Sequence, residues 1–171
     1  MTTHPELVAQ ARLDSPLGPI TVAATARGLA GLWFDAQAHH PGALDVTVDA
    51  GQRFIAQARE ELERYWCGGP RSRFTVPLDA RGTAVQQAVW RALLRIPAGS
   101  TSTYAAVAAA AGKPRAVRAA GAAIGRNPLS IIVPCHRVLG RDGALTGYAG
   151  GLPRKQALLE LEGAPSTSHT P

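Results

Sequence analysis

Cys135 lies in the run Ile131-Ile132-Val133-Pro134-Cys135-His136-Arg137-Val138, where an apolar, strand-like approach is followed at once by a base and a cation. The thiolate is the sulfur nucleophile, and a neighbouring His or Arg lowers a thiol's pKa toward neutrality. The chemistry this environment suggests is nucleophilic: a thiolate at Cys135 with a base and a cation beside it. A lone buried cysteine is more often an inert small hydrophobe, so it is His136 and Arg137 that set this one apart. The second cysteine, Cys67, sits in Trp66-Cys67-Gly68-Gly69-Pro70 with no base beside it, and is expected to pack inertly or to lie at a helix end. Two cysteines in an Ala- and Arg-rich chain make no disulfide framework of the secreted kind.

A nucleophile needs elements that hold it, and the chain before Cys135 is helical. Val85, Val89, Leu93, Leu94 and Ile96 form an apolar stripe that stops at Pro97-Ala98-Gly99. The cluster Ser100 to Thr103 caps a second helix, Tyr104 to Ala111, which ends at Gly112; a third helix follows a short turn, from about Arg115 to Gly125. Two short helices joined by a tight turn with Gly read as a helix-turn-helix or as an ordinary αα-hairpin in a small bundle. A Gly-rich loop over 139–152 and a last helix from Arg154 to Leu161 complete this half. A disordered tail is expected over 164–171.

The first half reads differently. An alternating run around 8–13, the turn Ser15-Pro16-Leu17-Gly18, a run from Ile20 to Thr25 and another from Gly28 to Phe34 predict a small antiparallel sheet. Phe54, Ala58, Leu62, Tyr65 and Trp66 recur at helical spacing between Asp49 and Trp66, so one amphipathic helix packs on that sheet. Phe74 to Leu78 reads as a further strand before the linker Asp79-Ala80-Arg81-Gly82. The fold class is α+β: an amino-terminal sheet-and-helix domain over 1–81, then a helical carboxy-terminal domain over 82–163.

With 171 residues, 46% of them apolar, the chain is long enough to bury a core, and no window approaches the length of a membrane span. The start lacks an apolar signal core, so a soluble protein of the cytoplasm is expected, working as a monomer. Charge is unevenly spread. Residues 1–81 carry eight Arg against nine acids, whereas residues 82–163 carry ten Lys or Arg against three acids. A basic half suggests a polyanionic partner such as nucleic acid, although an Arg-rich solvated surface gives the same count.

The motif Pro134-Cys135-His136-Arg137-Val138 resembles the signature of the O6-alkylguanine-DNA alkyltransferases, also called methylated-DNA-protein-cysteine methyltransferases. The resemblance runs through about half of the chain. It takes in Gln86 to Trp90, Ile96 to Gly99, Thr103-Tyr104, Arg118 to Gly121, Asn127-Pro128, the signature, Gly147 to Gly151, and Glu162-Gly163. It implies direct repair of double-stranded DNA: one alkyl group moves from O6 of guanine to Cys135 and stays there, without a cofactor. Whether O4 of thymine is also served stays open. The O6 group lies inside the base stack, so the nucleotide must be flipped out.

The resemblance also implies roles, residue by residue. His136 deprotonates Cys135 through a water while Glu162 orients and charges the imidazole, a triad logic carried by a thiol. Tyr104 donates a proton or hydrogen bond to the purine as the guanine leaves; phenols stay protonated at neutral pH. Asn127 supports the turn beside the nucleophile. Arg118, on the second helix of the helix-turn-helix, fills the gap left by the flipped base in the minor groove, and Gly121 and Ala122 let the backbone come close. Lys113 and Arg115 lie near the phosphates. Backbone groups near Val138 and Ala149 contact the base, and Tyr148 and Gly150 help to wall the pocket.

Some positions depart from the family pattern: Val85 for the usual Phe, Lys113 for Asn, Ala120 for Val, and Ala149 for the Ser of some members. None touches the nucleophile or the relay. The branch that only binds damage has Trp at the nucleophile position, where this chain has Cys135. Cys67 with His4, His39 and His40 makes a poor four-ligand zinc site, so no metal is expected. Two other classes fit the residues less well, a DNA-binding module with an inert Cys135 and a cysteine hydrolase. Stoichiometry separates the three, since only the alkyltransferase reacts covalently once.

Overall fold

A computed structural model describes residues 6–68 and 73–165. The chain forms two compact units. One takes the chain up to Arg81 together with Pro128–Ser130; the other holds Gly82–Asn127 and the chain from Ile131 onward.

In the first unit β1 (Leu7–Leu13), β2 (Ile20–Thr25) and β3 (Leu29–Phe34) form an antiparallel sheet in the order β1-β2-β3. The Ser15–Gly18 turn closes the first hairpin, with the Gly18 amide on the Ser15 carbonyl at 3.1 Å. On the sheet lies α1 (Arg53–Gly68), whose Phe54, Ile55, Ala58, Leu62 and Tyr65 are buried. Its first turn is capped by the Gln52 side chain, which accepts from the amides of Phe54 and Ile55 at 2.8 and 3.1 Å.

Both open edges of this sheet carry single bridging residues, which leaves little free ladder. Val48 bridges Gln10 on β1, and Leu78 and Leu129 bridge Leu29 and Leu32 on β3. The expected strand over 74–78 is therefore reduced to one bridge. The reason is Glu61, buried on α1, whose carboxylate accepts from the amides of Thr75 and Val76 and from the Thr75 hydroxyl. Those amides cannot also serve a ladder. The Pro128–Ser130 segment was not foreseen in this unit. It docks on β3 through Leu32 N to Pro128 O at 2.8 Å and Ser130 N to Leu32 O at 3.0 Å.

The second unit begins with α2 (Ala84–Leu93), started by a capping box between Thr83 and Gln86. Leu94 and Ile96 lie past its end, where the last turn tightens through Arg95 N to Ala92 O and Ile96 N to Leu93 O. The cap cluster resolves onto Thr103, whose side chain accepts from the Ala106 amide and starts α3 (Tyr104–Ala110). Ser102–Thr103 is also a short strand, β4, parallel to β5 (Val138–Leu139). Gly112 turns the chain in the left-handed region (φ +75°), the end that only Gly adopts without strain. The next helix, α4 (Val117–Gly125), starts two residues later than its sequence suggests and leaves Arg115 in the turn. Trp90 on α2 ties down the carboxyl end of α4, its indole N–H donating to the Ala123 carbonyl at 2.9 Å.

Residues 131–134 are not a strand. Ile131, a buried β-branched residue, sits at φ +72°, and the chain then enters a 3₁₀ turn over Cys135–Arg137. The last helix is α5 (Leu152–Leu161). Ala164 is packed against Leu139 and Leu159, so the expected tail does not begin there; residues 166–171 lie outside the described residues. No helix among the described residues is long and apolar enough to cross a membrane.

Candidate active site

The 3₁₀ turn places Cys135 and His136 in the interior, 5% and 0% exposed. Cys135 Sγ receives the Asn127 amide (Nδ2) at 3.2 Å, and the same amide donates to the Val133 carbonyl at 2.8 Å. Asn127, just past α4, thus binds both the approach to the nucleophile and its sulfur. Burial pushes the Cys135 thiol above its ordinary range, and the Asn127 hydrogen bond and the Lys155 charge pull against this without cancelling it. The sequence suggested the opposite, a thiol lowered by its neighbours. That expectation fails because Arg137 is spent elsewhere and burial dominates.

His136 Nε2 stands 2.7 Å from Glu162 Oε1, with both side chains fully buried. Glu162 caps the end of α5 and is held on its other side by Arg137, whose Nε reaches Oε2 at 2.9 Å and Nη2 reaches Oε1 at 2.8 Å. Arg137 Nη1 donates to the Ile96 carbonyl at 2.6 Å. Burial would raise the Glu162 pKa, but the hydrogen bonds and charges of His136 and Arg137 hold it down at about 2. An ionised carboxylate only accepts, so Nε2 carries the imidazole proton and Nδ1 presents a lone pair. Nδ1 is buried and has no hydrogen-bond partner among the described residues. Burial lowers the His136 pKa, the Arg137 and Lys155 charges add to that, and Glu162 opposes it. The resting pair is a neutral thiol beside a neutral imidazole poised to charge.

Lys155 on α5 was not singled out by its sequence, yet it is completely buried. Its ammonium donates to the carbonyls of Val138 and Thr146 at 2.6 Å and of Gly147 at 3.2 Å. Burial lowers its pKa to about 8, and the charge of Cys135 works the other way. Flanked by Arg154 and Gln156 in its helix, Lys155 reads as a solvated surface group, so only the folded carbonyls reveal it. Lys155 joins β5, which carries Val138, to the loop that carries Tyr148, Ala149 and Gly150.

Tyr104 stands at the start of α3, half-buried, with its hydroxyl against Thr146. Val138 and Gly150 are buried, while Tyr148 and Ala149 are half-buried, and the Tyr148 hydroxyl itself is enclosed. Arg118, Lys113, Arg115 and Ala122 are exposed on α4 and the turn before it. Gly121, half-buried, faces the Tyr104 ring: a Cβ there would meet Cδ1 at 3.6 Å, an ordinary contact. The fold thus makes two hydrogen-bonded pairs, Asn127–Cys135 and His136–Glu162, adjoining through the chain at 135–136, and leaves Arg118, Lys113 and Arg115 exposed.

Fold and site define an α+β protein whose helical unit holds a buried thiol next to a histidine–carboxylate pair, with two short exposed helices in the same unit. Comparison with known proteins narrows the class. Residues 84–164 match the DNA binding domain, and residues 8–80 the ribonuclease-like domain, of 6-O-methylguanine DNA methyltransferase. The chain belongs to the 6-O-methylguanine DNA methyltransferase family.

It is 48% identical over 150 residues to a methylated-DNA–protein-cysteine methyltransferase of Mycobacterium tuberculosis, spanning 88% of this chain and 89% of that one. It is 45% identical to the protein of the same name in Methanosarcina barkeri, over 88% of this chain and 94% of that one. The crystal structure of Mycobacterium tuberculosis OGT in complex with DNA superposes with a TM-score of 0.82 at 45% identity, covering 93% of this chain and 96% of that one.

Proposed function

We propose that the protein repairs alkylated DNA directly, Cys135 taking the alkyl group from O6 of guanine and keeping it, once per molecule. The observation that carries this reading is the buried Cys135 thiol followed at once by a buried His136–Glu162 pair at 2.7 Å, in a chain of this family. The DNA-bound relative supports DNA as the partner.

The step runs from a neutral pair. The Cys135 proton passes to His136 Nδ1 through a bridging water, and Glu162, already ionised, stabilises the imidazolium that forms. The thiolate attacks the alkyl carbon in line; an S–C bond forms as the C–O6 bond breaks, and the electron pair leaves with the guanine. Tyr104 meets that charge with a hydrogen bond, and the guanine takes up one proton as the imidazolium releases one. Sulfur exchanges a proton for an alkyl group, guanine the reverse, and nothing is oxidised or reduced. The product is a thioether, whose unactivated alkyl carbon could be passed on only by expelling the Cys135 thiolate, so one event consumes one molecule.

A duplex hides O6 within the stack, so the base must be turned out before a buried thiol can reach it. The helix-turn-helix α3–α4 performs this from the minor groove: Arg118 enters the gap, and Gly121 and Ala122 allow close approach. Lys113 and Arg115 contact phosphates. Val138, Tyr148, Ala149 and Gly150 line the pocket for the base. The relay and nucleophile come from one chain, which supports action as a monomer.

Mass spectrometry after incubation with a duplex containing one O6-methylguanine tests the reading. The expected result is one added methyl group, on the peptide with Cys135 and not on Cys67. Methylation that survives Cys135→Ser would overturn it.

A further inference from the structure

Thr146 lies outside every residue assigned a role above, in an exposed part of the loop between β5 and α5. It touches the Tyr104 phenol twice. The phenol O–H donates to the Thr146 carbonyl at 3.4 Å, and the Thr146 hydroxyl donates back to the phenol oxygen at 3.3 Å. The same carbonyl accepts from the buried Lys155 ammonium at 2.6 Å. The following residue, Gly147, is at φ +32°, and a Cβ there would lie 3.8 Å from the phenol oxygen.

We propose that the Thr146 hydroxyl is a positioning residue for Tyr104, occupying the acceptor side of the phenol so that the phenol presents only its proton to the flipped base. This rests on the reading of Tyr104 as the donor to the leaving guanine.

Three physical points carry it. At 3.4 and 3.3 Å both phenol contacts are longer than the usual O–H···O range of about 2.5–3.0 Å, so the bond to the carbonyl is easily given up to a base, and the Thr146 hydroxyl can tighten on the phenol oxygen as that happens. Giving it up leaves no orphan, because Lys155 still satisfies the Thr146 carbonyl. A phenol oxygen that accepts a hydrogen bond is also a better donor, since chains of hydrogen bonds polarise one another. The hydroxyl therefore selects a base that offers an acceptor to Tyr104, and strengthens the bond as charge gathers on the leaving purine.

The test compares single-turnover transfer from O6-methylguanine duplex by the wild type, Thr146→Val, Thr146→Ser, Tyr104→Phe and the Thr146→Val/Tyr104→Phe double variant. Reaction of Cys135 with iodoacetamide across pH is followed in each. Loss of an uncharged hydrogen bond predicts that Thr146→Val is slower by about two- to tenfold. Thr146→Ser should stay within about twofold of the wild type. Thr146→Val should add nothing once Tyr104 is replaced by Phe, and the iodoacetamide profile should not move. Equal losses from Thr146→Val with Tyr104 intact and with Tyr104→Phe in place, a Ser variant as slow as the Val variant, or a Val variant as fast as the wild type would each overturn the proposal. A Tyr104→Phe variant at full speed would instead strike the reading of Tyr104 itself, and the proposal with it.

Discussion

The nucleophile and the α3–α4 face belong to one unit and are built on opposite terms. Around Cys135 the charged groups are buried and committed: Glu162 to His136 and Arg137, Lys155 to three carbonyls. On α4 the exposed residues are Val117, Arg118, Ala119 and Ala122, one long cation among small side chains. Proton transfer needs a fixed geometry in a low dielectric, where an uncommitted charge would be costly. A surface that meets DNA needs the reverse, low relief and cations whose partners arrive from outside. The difference separates what variants of each region should lose.

The relay should show the largest losses. His136→Ala and Glu162→Gln are each expected to slow transfer from free O6-benzylguanine by about 10²-fold or more, the usual contribution of a positioned base. The double variant should lose less than the product of the two, since the residues act as one unit. Single-turnover rates on the free base check this, because no DNA is involved.

Arg118→Ala should divide the two regions most clearly. Repair of a duplex is expected to fall by about 10-fold or more, on the scale of the unstacking cost the arginine offsets, while reaction with the free base is unchanged. Equal losses on both substrates would place Arg118 with the fold and not with the stack. A smaller effect is expected at Lys113 and Arg115: replacing either by Ala should weaken duplex binding and flatten its salt dependence by about one phosphate contact. Binding titrations at several salt concentrations read this slope.

Acid should act through the buried cluster, and also through Glu61 and Asp79, where burial raises the pKa but hydrogen bonds outweigh it and leave both lowered in the folded protein. Glu162 has a folded pKa of about 2, below its unfolded value, so it contributes stability that is present above about pH 4.3 and lost as pH falls toward 2. His136 is also lowered in the folded state, so unfolding takes up a proton and stability drops further as pH falls below about 6.5. Denaturant melts from pH 7 to 3 should show this decline, and Glu162→Gln should flatten its lower part.

How far the sequence reveals these regions depends on how local the signal is. The nucleophile is legible because Cys135, His136 and Arg137 adjoin, and α2 is legible from its apolar spacing, α3 from the Ser100–Thr103 cap cluster and α4 from the turn after Gly112, whereas the Thr83 cap emerges only in the structure. Glu162 is legible only through its motif, because a carboxylate at a helix end reads as solvated until Arg137 and His136 fold onto it. Lys155 and Glu61 show no such sign. Each is buried by backbone groups distant in sequence, the carbonyls of 138, 146 and 147 and the amides of 75 and 76. The strand read over 74–78 fails for the same reason, and the pKa direction of Cys135 fails because adjacency in sequence said nothing of where Arg137 points.

The most direct test of the central claim counts events per molecule. A fixed amount of protein is mixed with a large excess of duplex carrying O6-methylguanine, and repaired guanine is followed to its plateau. One guanine repaired per protein, with no repair on adding more duplex and none by Cys135→Ser, is the result expected of a thiol that keeps what it takes. Repair that continues past one equivalent would contradict the account.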